Sequence, residues 1–131
     1  MLISISRYFA IALGILTPLA ETVRRWHTWR ENPPAFFDDY IIGAFLLFGA
    51  WRTGKNAASG RPFLAAAWAF MCGMAYASFF GQLENIRLGI ADPAPISSSA
   101  VAAIKGVGLA VGVMCLLFTL WPTASLEKDQ S

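Results

Sequence analysis

The stretch PFLAAAWAFMCGMAYASFFGQ, residues 62–82, decides the fold of this chain. It carries no charged residue over 21 positions, which is close to the length that an α-helix needs to cross a hydrocarbon core of roughly 30 Å. Pro62 suits the first position of such a helix, because proline has no N–H to leave unpaired there. Residues 62–82 therefore predict one membrane-spanning helix.

Small residues recur at every fourth position of this span and form one row along a helix face. In lipid the hydrophobic effect does not drive helices together, so close backbone approach over small side chains is a main source of association. We expect the row to dock against another helix; the alternative is an alanine-rich helix whose spacing has no role. The row comprises Ala65, Ala69, Gly73, Ala77 and Gly81.

The composition of the whole chain agrees with a membrane environment. Of 131 residues, 56% are hydrophobic and 14% are charged, and the net charge is +2. The charged fraction is well below the roughly 25% of soluble domains, and the absence of a long basic run argues against nucleic acid as a partner. Cys72 and Cys115 fall in apolar stretches and are expected to pack there. One histidine, His27, supplies no pair for haem or zinc, so no metal cofactor is expected.

Residues 4–22 predict the first span. The run resembles a secretory signal, but Pro18 and Leu19 fit poorly beside a small-residue cleavage site, so we interpret it as a retained helix. Pro18 is expected to kink that helix or to end its regular part. The polar stretch that follows interleaves arginines with tryptophans, which is typical of a membrane interface.

Residues 33–52 predict the second span. Asn32 is a good cap for a helix that opens with two prolines, and Gly54 is a plausible C-terminal stop. A start at Asp38 would leave only about 15 residues, which is too short to cross a bilayer. The link over residues 52–61 is rich in glycine and serine and is expected to form a tight hairpin loop.

Residues 98–121 predict the fourth span, capped by one of three consecutive serines, and a polar tail follows at 122–131. Gly108 and Gly112 form a GxxxG pair on this span, which indicates face-to-face packing against the third span. Four spans with short links predict one domain and an all-α fold, an integral membrane four-helix bundle with up-down-up-down topology.

Four alternating spans place all acidic residues outside the tail on one side of the bilayer. Lys105 lies about 10 Å along the fourth span from its serine end, where an unpaired charge is costly. Either its long stem reaches the headgroups, or it turns inward to an acid in a polar pocket, and such a cluster can also serve only to fix helix register. Of two adjacent acids, Asp39 is expected to face inward because its i+4 neighbour is Gly43. The candidate ligand-binding residues are Lys105, Asp39, Asp38, Glu84, Glu21 and Gln82.

The charge distribution also predicts an orientation. The side with both termini has five lysines and arginines against four on the other side, and the short link between the second and third spans contains no acid. Positive residues concentrate in cytoplasmic loops. We therefore expect both termini in the cytoplasm of a bacterial-type inner membrane, with the charged pocket on the outer side.

The four-span pattern resembles the DoxX-like family of small four-helix membrane proteins. The resemblance lies in chain length, in the entry RYFAIALGI at 7–15, in DDYIIGAFLLFGAW at 38–51, and in the compact third and fourth spans. Some members are associated with quinone-linked redox chemistry, so the resemblance implies a quinone-type ligand. It identifies no catalytic residue.

Three functional hypotheses follow. No catalytic triad, nucleophile elbow or phosphate-binding loop is present, so the expectation leans away from an enzyme. The first hypothesis is a non-catalytic binding or accessory protein that holds a lipid-like or quinone-like molecule, with membrane lipid as its partner. The second is an oligomeric small transporter or channel that uses a membrane-embedded carboxylate, and the third is a structural subunit of a larger membrane complex. A homo-oligomer or a partner membrane protein is therefore also expected.

Overall fold

A computed structural model describes residues 1–122 and contains four helices in that range. Each is long and apolar enough to cross a membrane, since 23 residues span about 35 Å. Consecutive helices pack side by side, and the first also contacts the fourth. The predicted all-α membrane four-helix bundle with up-down-up-down topology is thus confirmed, whereas the predicted tail, apart from Pro122, lies outside the described residues. The helices are α1 (Leu2–Arg25), α2 (Pro33–Lys55), α3 (Ala57–Arg87) and α4 (Ser98–Leu120).

Two predicted caps are confirmed. The side chain of Asn32 accepts a hydrogen bond from the Ala35 amide at 3.5 Å, ahead of the prolines that open α2. Ser97 is the serine that caps α4, and its hydroxyl accepts from the Ala100 amide at 3.2 Å. Each cap satisfies an amide that has no partner inside its helix.

The link between α2 and α3 is much shorter than predicted. Asn56 is the one residue outside the two helices, and it serves both: its amide donates to the Arg52 carbonyl, and its side chain accepts from the Ser59 amide at 3.0 Å. The predicted stop at Gly54 is wrong, as is the predicted start of α3 at Pro62. The other residues of the predicted link belong to the two helices instead. Hydropathy predicts only the apolar part of a membrane helix, so it does not indicate where the helix ends in a polar segment.

Pro18 does not end α1, because the helix continues without a break to Arg25. A proline cannot donate to the carbonyl four residues earlier, so the Gly14 oxygen is left without that partner. A Cβ placed on Gly43 of α2 would lie 2.6 Å from this oxygen. The two glycines therefore allow α1 and α2 to approach closely at this point, where a weak Cα–H···O contact is available.

The hydrophobic core fills the half of the bundle that contains the start of α1 and the end of α4. Trp68 is fully buried there, and its indole N–H donates to the Ser6 hydroxyl at 2.8 Å. Ser6 in turn lies 2.5 Å from the Thr119 hydroxyl, which donates to the Cys115 carbonyl at 2.7 Å. This chain of hydrogen bonds joins α1, α3 and α4, and we call this half the closed end.

The predicted docking row on α3 is wrong as an intramolecular contact. Gly73 and Gly81 are exposed, and a Cβ on either would meet nothing within 4 Å. The buried face of α3 instead includes Leu64, Trp68 and Met71, and the row is centred about 180° around the helix from Leu64, on the opposite side. The other members are half-buried or exposed: Ala65, Ala69 and Ala77.

The GxxxG pair of α4 divides between two environments. Gly112 is buried against α3, where an added Cβ would lie 3.2 Å from the Cys72 sulfur, so its predicted packing role is confirmed. Gly108 faces open space one turn away, at the wall of a cleft. Contact between α3 and α4 nevertheless continues past Gly108, because an added Cβ on Gly106 would lie 3.0 Å from the Phe79 ring of α3.

Candidate functional site

A cleft of about 1000 Å³ occupies the half of the bundle opposite the closed end. All four helices line it, mostly with apolar side chains. At its mouth, Leu16 and Leu19 of α1 and Ile104 and Val107 of α4 are each more than half exposed. The cleft therefore opens between the first and last helices, on a surface that a membrane-spanning bundle presents to lipid.

An ion-pair cluster lies at the end of this cleft that is next to the α1–α2 and α3–α4 connections. Arg24 makes a bidentate contact with Asp92, with nitrogen–oxygen distances of 3.0 and 2.6 Å. It also contacts Glu21 at 3.1 Å, one turn earlier on α1, and Arg25 reaches the same carboxylate at 2.6 Å. Glu21 is 5% exposed, which makes these partners important because a buried carboxylate without them would be costly.

Asp92 anchors the connection between α3 and α4 to this cluster. Its carboxylate also accepts from the Ala94 amide at 2.9 Å, and its own amide donates to the Ser98 hydroxyl at 3.2 Å. Burial raises the pKa of the Asp92 carboxyl, but hydrogen bonds from Arg24 and the Ala94 backbone outweigh burial and hold the pKa below its ordinary value. The carboxylate is therefore the form that the folded loop favours.

Lys105 is held by an amide. Its ammonium donates to the Gln82 side-chain oxygen at 3.3 Å, and the Gln82 nitrogen donates to the Ser98 carbonyl at 3.4 Å. Gln82 is 2% exposed, so the side chain that positions Lys105 is itself buried. The expectation that Lys105 pairs with an acid is not met among residues 1–122, where it forms no ion pair.

Asp38 and Asp39 both line the cleft and both are half-buried. The charged neighbours of Asp39 are Glu21 and Arg24 of α1 and the adjacent Asp38. Neither aspartate forms an ion pair with a lysine or arginine in the part of the chain that the structure describes. Both aspartates therefore face the cleft, and the Asp39 carboxyl shares a hydrogen bond with Glu21 of α1.

The prediction that Glu84 is a ligand-binding residue of the pocket is wrong. It is exposed and pairs with Arg87 on the outer surface of α3. Gln82, two residues earlier, is on the buried face, and two helical residues rotate the side chain by about 200°. Glu84 therefore points away from the cleft.

A smaller polar pocket of about 510 Å³ lies on the other side of the ion pairs. Thr28 and Asn32 of the connection between α1 and α2 line it together with Asn85 of α3 and Pro93 of the connection between α3 and α4. Arg24 and Arg25 line both cavities. Their ion pairs form a partition between a polar surface pocket and the cleft in the bundle.

Arg24 and Asp92 were not among the predicted site residues. The i+3 and i+4 spacing of Arg24 and Arg25 from Glu21 is a local signal for these pairs, once α1 is extended past position 22. The contact with Asp92 has no such signal, because 68 positions separate it from Arg24. It depends on the four-helix topology, which brings the end of α1 beside the start of α4.

Fold and site together define a multi-pass four-helix membrane protein with a cleft between its first and last helices and a charged cluster at one end of that cleft. The chain matches no protein-family model, no curated protein and no solved structure. The resemblance to the DoxX-like family stays a prediction.

Proposed function

We propose that this protein binds an amphiphile, a lipid-like or quinone-like molecule, as a non-catalytic binding or accessory protein. The observation that carries the proposal is the cleft between α1 and α4, with an apolar wall and a charged end. The apolar part suits a hydrocarbon tail, and the ionic end suits a polar head near one bilayer surface.

The dimensions of the cleft support this proposal. Ligand pockets in proteins typically enclose roughly 300–1,000 Å³ and combine an apolar lining with a few polar groups. The cleft is at the upper end of that range, and Lys105 supplies a polar group about 10 Å along α4 from its start. Because the mouth is apolar, a ligand can enter from the bilayer without exposing its tail to water.

Filling the cleft tests the proposal directly. Gly108 lines it and has open space around the position of a Cβ, so Gly108→Leu places a side chain in the cleft without a clash. We expect lipid or quinone that copurifies in mild detergent, measured by mass spectrometry of extracts, to fall several-fold. Gly73→Leu is the matched control, since Gly73 is equally open and does not line the cleft.

Lys105→Met gives a second test, at the polar end. The substitution keeps an unbranched stem and removes the ammonium, so we expect weaker retention while the protein still inserts. Lys55→Met is the control, because Lys55 is exposed at the end of α2 on the opposite side. Equal copurifying lipid or quinone in wild type, Gly108→Leu and Lys105→Met would contradict the proposal.

The other two hypotheses stay predictions. A transporter or channel of four helices requires self-association, and a monomeric particle without proton-coupled flux in liposomes would argue against it. A structural subunit requires a partner that copurifies. The exposed small-residue row of α3 is compatible with either assembly.

A further inference from the structure

The ion pairs of the charged end leave three ionisable side chains of the cleft unmatched. Arg24 pairs with Glu21 and Asp92, and Arg25 pairs with Glu21 alone. Lys105, Asp38 and Asp39 line the same cleft and form no ion pair within residues 1–122. One cationic group and two carboxyl groups therefore face the volume that a head group would occupy, and the Asp39 carboxyl also shares a hydrogen bond with the Glu21 carboxyl, so that acids outnumber cations on this side.

These unmatched groups belong to different parts of the cleft. The aspartates are on α2 and Lys105 is on α4. The charged neighbours of Asp39 are on α1 and α2, whereas those of Lys105 are on α1 and the α3–α4 connection. The ion pair of Glu21 with Arg24 is common to both sets, so the unmatched positive and negative groups flank it.

We propose that the head group held here is zwitterionic: a phospholipid of the surrounding bilayer whose phosphate binds Lys105 and whose ammonium binds Asp38 and Asp39. The inference rests on the proposed function and specifies its ligand. Lys105 has three donors, of which Gln82 takes one. Lysine binds phosphate as a point charge, so the remaining donors suit a phosphodiester.

The carboxylates decide between classes of ligand. A quinone offers neutral carbonyl acceptors that could satisfy Lys105, but it has no cation for the aspartates. A lipid with only a phosphate would bring a second anion next to them, and like charges brought together at an interface are unfavourable. An ammonium group matches both aspartates, and an unmatched charge at membrane depth is costly.

The test compares lipids on the intact wild-type protein, so it does not depend on any variant folding. Delipidated protein in detergent is given equal amounts of phosphatidylethanolamine, phosphatidylglycerol with the same acyl chains, and a quinone, and bound species are counted by native mass spectrometry. We expect phosphatidylethanolamine to exceed phosphatidylglycerol by roughly tenfold. The Asp38→Asn/Asp39→Asn double variant should bring that ratio close to one while still binding lipid.

The outcomes separate the two proposals. Equal binding of both lipids to wild type, or a preference for phosphatidylglycerol or for the quinone, would overturn the zwitterionic head group and leave an amphiphile-binding cleft. An unchanged lipid ratio in the double variant would overturn the role of the aspartates. No binding of any of the three molecules would overturn the proposed function itself.

Discussion

Gly43 shows how one missing methyl group determines the distance between two helices. A Cβ at this position would lie 2.6 Å from the Gly14 carbonyl oxygen and 3.3 Å from the Pro18 ring. The obstacle is backbone and a proline ring, neither of which can rotate away. Gly43→Ala must therefore separate α1 from α2.

We expect Gly43→Ala to destabilise the protein by about 1–3 kcal/mol, the usual cost of overpacking. The measurement is the unfolding midpoint in detergent on titration with a denaturing detergent. Gly73→Ala is the control at a helical glycine with open space, and it should be neutral or slightly stabilising because alanine is the better helix former. Equal effects of the two substitutions would mean that α1 and α2 do not approach as described.

The partners of the predicted site residues show how much can be derived from single positions. Lys105 was predicted to need a partner, because its depth in the span follows from helix geometry alone. The identity of Gln82 as that partner could not be predicted, since a neutral amide has no charge pattern to mark it. The prediction for Glu84 was wrong because residues 62–82 are apolar on every side, so the sequence does not indicate which face of α3 is buried. A shift of two residues along the helix is enough to move a side chain from the buried face to the exposed one.

At the scale of elements, the connection between α3 and α4 is fixed to α1 by one ion pair. Arg24→Gln removes the bidentate contact with Asp92. We expect amide hydrogen exchange over residues 89–96 to accelerate, while exchange in the closed end stays unchanged. Arg87→Gln is the control, because it breaks an exposed pair on α3 and should leave the connection unaffected.

This contact should also depend on pH. The pKa of Asp92 is lower in the folded protein than its ordinary value of about 3.9. Its contribution is therefore complete above that ordinary value and is lost as the pH falls through the lowered folded pKa. In the wild-type protein we expect the protection of residues 89–96 from amide hydrogen exchange to decay only in this acidic range. In Arg24→Gln that protection should already be absent at higher pH.

Helix boundaries were predictable where the signal is local. Asn32 and Ser97 cap their helices with side chains that lie beside the amides they satisfy, so sequence alone identifies them. The start of α3 was missed because Asn56 and Pro62 are both acceptable start signals. Asn56 prevails because its amide and side chain serve two helices at once, which allows the turn to be a single residue.

At the scale of the whole molecule, the topology makes a prediction about membrane sides. Four antiparallel helices place the α2–α3 turn on one side and the α3–α4 connection on the other. In a background with Cys72 and Cys115 replaced by serine, Ser59→Cys and Ala91→Cys should react with a membrane-impermeant maleimide from opposite sides of sealed vesicles. The predicted cytoplasmic termini require Ser59→Cys to be the one that reacts from the cytoplasmic side.

Labelling of both positions from the same side would contradict the four crossings. The reversed pattern would keep the bundle and reverse only the predicted orientation.

The up-down-up-down fold was predictable from hydropathy because each span is long and apolar. The cleft between α1 and α4 was not, because hydropathy does not indicate where two neighbouring helices cease to pack against each other.

The hydrogen bond between Ser6 and Thr119 has a consequence for biogenesis. It joins two positions 113 residues apart, and of the four helices those that flank the mouth of the cleft are synthesised first and last. While only α1 to α3 are in the bilayer, one wall of the cavity does not exist. We therefore expect stable retention of an occupant only after α4 has been inserted beside α1.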